Sequence, residues 1–247
     1  MFFKQFKSIF AKFYNWALDL LFPRLCLGCQ KEGFFVCDEC FQTLPIQKSA
    51  SCFFCQKRLS RDFFCPKCKE KFRLKIDGII TASDWDNPLL REIIHRYKYS
   101  FIKELGEILA KIISEFLAQQ KIIESLPGEK ILVPVPLFKR RLLWRGFNQA
   151  EILAKILGVN FEIEVLEILE RRRATFPQTQ IQDKKTRQEN IAGAFKIKFE
   201  FLNLDLRNKT IILVDDVSTT GATLNECAKT LKILKPRKIL GLVVARG

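Results

Sequence analysis

One stretch near the carboxyl end of the chain, residues 211–224, constrains the fold more than any other segment. It reads IILVDDVSTTGATL. The four aliphatic residues that open it predict a fully buried strand, because the run is too short for a helix. From Ala222 to Leu234 the apolar residues recur at helical spacing and predict a helix. The expected order is therefore a strand, an acidic turn, a loop of hydroxyl side chains around one glycine, and a helix.

The turn and the loop have the composition of a site for a ribose 5-phosphate. Free backbone N–H groups and the positive dipole end of a helix attract phosphate, and the dipole alone contributes about 0.3–2 kcal/mol. Gly221 lets the backbone close on the anion. Asp215 and Asp216 can only accept hydrogen bonds, so they suit the two donating hydroxyls of a ribose. The hydroxyl side chains expected at this site are Ser218, Thr219, Thr220 and Thr223.

Taken singly, these residues are ordinary turn formers, and Thr223 with Glu226 would make a capping box. In this order, however, they closely resemble the phosphoribosyl-diphosphate (PRPP) signature of the type I phosphoribosyltransferases. The resemblance implies that Asp215 and Asp216 hold the ribose diol and that residues 219–223 hold the 5-phosphate. It also implies that PRPP binds together with magnesium.

A second ligand loop is expected after a strand at residues 131–135. The strand runs into Pro134, Val135 and Pro136, and basic residues follow. In a phosphoribosyltransferase such a loop receives the diphosphate, often with a strained peptide, and an X–Pro bond turns cis at a cost of only about 0.5–1 kcal/mol. The alternative is a rigid turn with a basic helix start. We expect this strand and the strand that precedes Asp215 to be neighbours in a parallel sheet. The residues expected to contact the diphosphate are Val135, Pro136, Lys139 and Arg145.

The cysteines predict a metal-binding region ahead of the α/β part of the chain. Eight of the nine cysteines fall in four CxxC pairs. No segment has the pattern of a signal peptide or the length of a transmembrane helix, so we expect a cytoplasmic protein whose reduced CxxC pairs bind metal. Two pairs complete one zinc tetrahedron, and the spacing allows sequential or interleaved pairing. The ligands expected for two structural zinc ions are Cys26, Cys29, Cys37, Cys40, Cys52, Cys55, Cys65 and Cys68.

We expect three regions along the chain. Residues 1–24 predict a basic amphipathic helix that docks on the rest of the protein, although such a helix could instead lie on a membrane surface. Residues 25–70 hold a double zinc-ribbon-like module, and residues 71–247 hold a phosphoribosyltransferase-like domain. In that domain, alternating strands and helices predict an α/β fold, a parallel sheet flanked by helices with its ligands at the carboxyl ends of the strands.

The remaining elements of the domain follow from periodicity and turn signals. They are an edge strand within residues 72–85, one or two helices over residues 88–117 with an interruption near Tyr99, a helix from about Asn148 to Leu157, a third strand over residues 161–169, a long polar loop over residues 171–188, a short strand or turn over residues 190–199, and a last strand over residues 239–245.

The charge of the chain predicts a polyanionic partner. Lys and Arg number 42 against 27 Asp and Glu, a formal net charge of +15. Cations interleaved with aromatic rings are typical of surfaces that bind single-stranded nucleic acid, although the same cations could serve only the diphosphate of PRPP. One cluster comprises Lys139, Arg140, Arg141 and Arg145 with Trp144 and Phe147, and the other comprises Arg171, Arg172, Arg173, Lys184, Lys185 and Arg187.

The order of the motifs resembles the ComF family of competence-associated proteins. The blocks that carry the resemblance are the four CxxC pairs, WDNPLLREIIHRYKY, VPVPLFKRRLLWRGFNQAEILA, RRRATFPQTQ and VDDVSTTGATLNECAKTLK. The resemblance implies PRPP binding and a part in natural transformation through the uptake or handling of single-stranded DNA, with a competence helicase or another uptake protein as a partner. Three hypotheses follow: a phosphoribosyltransferase, a non-catalytic module that binds PRPP or DNA, and a structural zinc adaptor.

Overall fold

The computed structural model describes residues 23–59, 63–72, 74–173 and 191–247. The amphipathic helix expected over residues 1–24 and the polar loop expected over residues 171–188 lie almost entirely outside the described residues. The chain divides into two compact units between Leu44 and Pro45.

The first unit, in its described part, is a short cysteine-rich loop followed by helix α1 (Asp38–Gln42). The loop closes through an isolated bridge between Leu25 and Glu32. The second unit opens with a loop of the same kind, in which Ser51 bridges Arg58, followed by helix α2 (Pro66–Lys71). Each of these two segments, a loop with its helix, holds four of the eight cysteines that were predicted to bind metal.

The rest of the second unit is built on one parallel sheet. Its five strands lie in the order β1–β7–β6–β2–β3, and every neighbouring pair is parallel. A separate antiparallel pair joins β4 to β5. The strands are β1 (Gly78–Asp84), β2 (Glu129–Pro134), β3 (Glu164–Val165), β4 (Leu169–Arg171), β5 (Phe195–Ile197), β6 (Lys209–Ser218) and β7 (Lys238–Arg246).

Helices flank this sheet, and the α/β class expected from the sequence is confirmed. Asn87 caps α3 by accepting a hydrogen bond from Leu90 N at 2.9 Å, and Pro88 fits the first turn because its missing N–H needs no partner there. The helices are α3 (Pro88–Tyr99), α4 (Leu105–Gln119), α5 (Ile122–Ser125), α6 (Lys139–Arg145), α7 (Gln149–Phe161) and α8 (Ala222–Leu231), with 3-10 turns at Phe199–Phe201 and Lys232–Leu234.

Two segments differ from the sequence-based expectation. Residues 139–145 form a separate helix, α6, ahead of the helix expected from about Asn148, and a basic helix start was given only as the alternative for this segment; none of the residues of α6 is buried. The single strand expected over residues 161–169 is two short pieces. Of these, β3 joins the sheet beside β2, and β4 leaves it to pair with β5.

The core lies on both faces of the central strands β6 and β7. Ile211 and Val214 are completely buried, as are Leu240 and Val243 on the neighbouring strand. One apolar cluster continues from these strands through α8 into the second cysteine loop, where Phe53 is 3% exposed. The second cysteine loop is thus part of the core that supports the sheet. No helix among the described residues is long and apolar enough to cross a membrane.

Candidate functional site

The acidic pair lies at the carboxyl end of β6, beside the turn that follows β2. The two strands are parallel neighbours, with Pro134 opposite Val214, as expected. Val135 N continues the ladder by donating to Val214 O at 2.9 Å. The two predicted ligand loops therefore meet at one edge of the sheet, where the ligands of open α/β sheets bind.

The sequence predicted that the acidic pair lies in a turn, but the pair lies in a strand. Strand β6 continues through Ser218, because β7 runs alongside it and pairs Asp215 with Val243 and Ser218 with Arg246. Successive side chains of a strand point to opposite faces. The burial of the two carboxylates differs accordingly: Asp216 is 5% exposed and Asp215 is partly buried.

The two neighbouring carboxylates repel each other when both are charged. Burial, together with the charge of Asp216, raises the pKa of Asp215 well above its usual range, and Lys98 opposes this shift. Asp215 Oδ1 accepts a hydrogen bond from Asp216 N at 2.9 Å. Asp216 Oδ2 lies 2.9 Å from Lys98 Nζ, in an ion pair whose side chains are 7% and 22% exposed. Lys98 is therefore the main neutralising charge on the pair.

The hydroxyl loop begins helix α8. Gly221 is its N-cap residue, with φ of 73°, a left-handed conformation that glycine adopts without strain. The capping box expected from Thr223 and Glu226 does not form. The N-cap residue Gly221 has no side chain to cap the helix, and Glu226 instead accepts a hydrogen bond from Gly193 N at 2.8 Å.

A cleft of about 360 Å³ opens between the two loops. Seven of the residues expected from the sequence line it: Val135, Pro136, Arg145, Asp215, Asp216, Thr219 and Thr223. Four do not. Lys139 is exposed at the start of α6, Ser218 is buried, Thr220 accepts a hydrogen bond from Ala222 N at 3.4 Å, and Gly221 forms the turn itself.

The turn after β2 contains no cis peptide, nor does any other described part of the chain. The cis peptide that the two prolines would have allowed is therefore not adopted. The turn is fixed instead by Asn148, whose side-chain amide donates to Val135 O at 3.1 Å and whose Oδ1 accepts from Ala150 N at 3.2 Å. Asn148 thereby caps α7 and holds the loop at the cleft.

Arg145, the last residue of α6, brings a cation to the lining of the cleft. Its guanidinium lies 5.5 Å from the centroid of the Tyr99 ring, and burial lowers its pKa although Asp216 opposes that shift. Its buried Nε has no hydrogen-bond partner among the described residues, and neither has the buried Nε2 of Gln149 at the start of α7. These groups can donate hydrogen bonds to an anionic or carbonyl ligand without first breaking a bond to the protein.

The sequence did not predict several residues that line the cleft, namely Trp85, Lys98, Tyr99, Leu137, Gln149, Val217 and Gly247. Arg141 and Arg171 also line it, and they were expected only as members of the two basic clusters. Lys98 and Tyr99 arrive on the last turn of α3, which is tied to α7 by a 3.0 Å hydrogen bond from Tyr97 OH to Gln149 O. Their one signal was membership of the WDNPLLREIIHRYKY block. Arg171, expected on the surface, lies 5.4 Å from the Phe195 ring centroid and lines the cleft.

The eight cysteines form two tetrads with sequential pairing, so the interleaved alternative is excluded. Cys26, Cys29, Cys37 and Cys40 make one, and Cys52, Cys55, Cys65 and Cys68 make the other; within each, the sulfur atoms lie within 4.8 Å of one another. The Sγ atoms of Cys29 and Cys37 lie 3.6 Å apart, and so do those of Cys55 and Cys65. A tetrahedron with Zn–S bonds of about 2.3 Å has edges of about 3.8 Å, so both tetrads fit structural zinc.

Each tetrad also contains one thiol that ionises easily. Burial opposes ionisation of Cys26, but backbone N–H groups of Cys37 and Cys29 outweigh it and lower the pKa to about 6. The same balance lowers the pKa of Cys52 to about 7. A thiolate is the form that binds metal, so each site holds one ligand ready near neutral pH.

Comparison with known proteins agrees with this architecture. The phosphoribosyl transferase domain family matches residues 101–246, and the double zinc ribbon domain matches residues 17–69. The class is therefore a phosphoribosyltransferase-type domain that follows a double zinc ribbon.

Three individual relatives indicate which group of phosphoribosyltransferase-type proteins the chain resembles. The chain is 29% identical to Competence protein F of Haemophilus influenzae over 226 residues, which cover 86% of this chain and 97% of that protein. It is 30% identical to DNA utilization protein YhgH of Escherichia coli K12 over 168 residues, 68% of this chain and 70% of that protein. It is 29% identical to Competence protein ComFC of Streptococcus pneumoniae over 212 residues, 84% of this chain and 81% of that protein. The chain belongs to the phosphoribosyltransferase domain family and, within it, to the ComF proteins.

Proposed function

We propose that the cleft binds PRPP together with magnesium. The observation that carries the proposal is the convergence of an acidic pair, a hydroxyl-lined helix start and a partly buried arginine on one cleft at the carboxyl edge of the sheet. Asp215 and Asp216 accept hydrogen bonds from the ribose diol. Thr219, Thr223 and the backbone at the start of α8 bind the 5-phosphate. Arg145 also lines the cleft, and the diphosphate would extend towards it.

Magnesium fits this donor set. The ion keeps several waters and binds proteins through one or two carboxylates together with substrate phosphates, and Asp215 and Asp216 supply those carboxylates. When bound, the metal neutralises charge on the diphosphate and so makes it a better leaving group. Lys98 must share Asp216 with the ligand, and Asp215 must release the proton that its raised pKa retains.

The cleft supports phosphoribosyl transfer chiefly through electrostatics. In that reaction the bond from C1 to the diphosphate breaks and the acceptor forms a new bond to C1. Negative charge develops on the departing diphosphate, and Arg145 stabilises that charge from a partly desolvated position. A PRPP-binding module without transfer is the alternative, since PRPP binding needs the same residues.

We further propose that a surface beside the cleft binds single-stranded DNA, in keeping with the relatives named for competence and DNA utilization. This aromatic–basic surface consists of Tyr99, Phe101, Trp144 and the cations of α6. The three rings are 45–57% exposed, and Trp144 lies 5.3 Å from Phe101 and 6.2 Å from Tyr99, centroid to centroid. Exposed rings among cations stack bases and pair phosphates. A role in natural transformation, beside a competence helicase or another uptake protein, would use this surface.

Titration calorimetry tests the PRPP proposal. Wild-type protein should bind PRPP only with magnesium, and Asp215→Ala or Asp216→Ala should weaken binding by about ten- to a hundredfold, because each removes a charged hydrogen bond. Asp205→Ala, at an exposed carboxylate paired with Arg207, serves as the matched control and should bind normally. Unchanged affinity in both cleft variants would refute the assignment. Release of diphosphate in the presence of nucleobases then separates the enzyme from the binding module.

A further inference from the structure

The second zinc loop lies against the loop proposed to hold the 5-phosphate. Gly221, the turning point of that loop, is so closely packed that a Cβ added there would lie 3.0 Å from Ile79 Cδ1 and 3.7 Å from both Phe53 Cε1 and Phe54 Cζ. Phe53 and Phe54 are the two residues between the zinc ligands Cys52 and Cys55. Both rings therefore lie beside Gly221 and cover the hydroxyl loop at this turning point.

The same two phenylalanines are tied to the strand ends beneath the loop. The guanidinium of Arg246 lies 5.4 Å from the Phe53 ring centroid, and its Nη1 donates to Phe54 O at 3.4 Å. Arg246 pairs with Ser218 in the sheet, and Gly247 N donates to Ser218 O at 3.1 Å. Ser218 leads directly into the hydroxyl loop. A shift of the zinc loop would thus disturb both the turn at Gly221 and the strand end at Ser218, from which the hydroxyl loop starts.

Phe54 lies between the first two cysteines of the tetrad, and its ring packs against rings that flank the last two. Its centroid lies 5.4 Å from that of Phe64, next to the ligand Cys65, and 4.4 Å from that of Phe72, which ends the helix after the ligand Cys68. Loops of this size keep their shape because metal holds their ends, and they lose it without metal. The ring cluster, and with it the cover over the hydroxyl loop, therefore depends on zinc.

We propose that the second zinc site, through Phe53 and Phe54, holds the hydroxyl loop in the conformation that binds phosphate, so that zinc at this site and PRPP in the cleft strengthen each other's binding. The inference rests on the proposed PRPP function. Coupling between two binding equilibria is reciprocal, so each ligand raises the affinity for the other by the same factor. We expect a factor of about five or more. The first tetrad lies in the other compact unit and serves as an internal reference.

Competition with a zinc-selective chelator at equilibrium tests the coupling. In wild-type protein, magnesium and PRPP should protect one of the two zinc ions and leave the other unprotected. The sites are distinguished by Cys29→Ser and Cys55→Ser, which change the exposed cysteine of each tetrad. The zinc remaining in Cys29→Ser should be protected. The zinc remaining in Cys55→Ser should not be, and PRPP should bind that variant at least about fivefold more weakly.

Phe54→Ala keeps all eight zinc ligands and removes the ring from the hydroxyl loop. It should retain two zinc ions, lose the PRPP-dependent protection and bind PRPP more weakly, and Phe54→Leu should restore part of both effects. If PRPP binds the wild type but protects neither zinc ion, or both equally, the inference is wrong. If PRPP does not bind the wild type at all, the proposed function fails and the inference falls with it.

Discussion

The two cysteine tetrads share one local construction. Each begins with the sequence CxxCQK, and the glutamine after the second cysteine adopts a left-handed conformation, with φ of 64° at Gln30 and 58° at Gln56. In each, the third cysteine is the N-cap of a short helix, Cys37 for α1 and Cys65 for α2. Because these shared features place four cysteines around one point, metal ligation accounts for the construction that the two tetrads have in common.

The residues between the first two cysteines make the difference. The first tetrad has Leu27, partly buried, and Gly28, exposed; the second has Phe53, 3% exposed, and Phe54. The phenylalanines extend the second loop into the core of the sheet and onto the hydroxyl loop. The same metal chemistry thus folds a separate loop in one case and a loop packed on the sheet and beside the hydroxyl loop in the other.

Loss of a buried zinc ligand should separate the tetrads most strongly. Structural zinc contributes about 10–16 kcal/mol to folding its own loop. Cys37→Ser should lose one zinc ion and the structure of residues 23–44, and the thermal unfolding of the sheet should stay unchanged. Cys65→Ser should lose the other zinc ion and lower the unfolding temperature of the sheet. Metal analysis and calorimetry check both; equal effects on the sheet would remove the distinction between the tetrads.

Truncation between the ligands gives the next largest difference. Phe53→Ala leaves a cavity in the core and should lower the free energy of unfolding by about 3–5 kcal/mol in denaturant titrations. Leu27→Ala, at the matching position of the first tetrad, should cost less because Leu27 is only partly buried. A similar cost at both positions would show that Phe53 does not bear on the sheet.

The aromatic–basic surface should be independent of both tetrads. Trp144→Ala should weaken single-stranded DNA binding by about 1–3 kcal/mol, the worth of one stacked base, and should leave the zinc content at two. Phe199→Ala, at an aromatic ring 88% exposed and outside that surface, should change neither. Fluorescence anisotropy at several salt concentrations measures the effect, and affinity should fall steeply as salt rises. Equal losses in the two variants would exclude this surface.

The acidic pair gives the smallest expected effect on stability. The folded pKa of Asp215 is raised above its unfolded value, so ionisation costs stability as the pH rises from the unfolded towards the folded pKa. Asp215→Asn removes this cost and should stabilise the ligand-free protein by about 1 kcal/mol or more above that window, and by little below it. Thermal unfolding across pH measures the change. Asp215→Asn should also abolish PRPP-dependent protection of the second zinc; destabilisation at every pH would contradict the electrostatic account.

The sequence predicted those parts of the site whose residues are neighbours along the chain. The metal ligands, the acidic pair and the hydroxyl loop are of this kind, because a CxxC pair or a strand end already carries its own geometry. The parallel pairing of β2 and β6 also followed, since both are buried strands that end in ligand loops.

The remaining parts depend on packing between distant segments. Lys98 reaches Asp216 from the end of α3, and Arg171 enters the cleft from β4, although both lysine and arginine usually mark a solvated surface. Phe53 and Phe54 occupy the two unspecified positions of a CxxC pair, and that pattern predicts no role for them. Their contact with the loop at Gly221 appears only when the second tetrad is folded onto the sheet.

The central claim, that the acidic pair and the hydroxyl loop form a PRPP site, is tested most directly by a crystal structure of the protein with magnesium and PRPP. The account predicts that the ribose hydroxyls lie within hydrogen-bonding distance of Asp215 and Asp216, that the 5-phosphate lies at the start of α8, and that the diphosphate extends towards Arg145. A ligand bound elsewhere, or a ribose phosphate in the cleft turned away from the acidic pair, would contradict it.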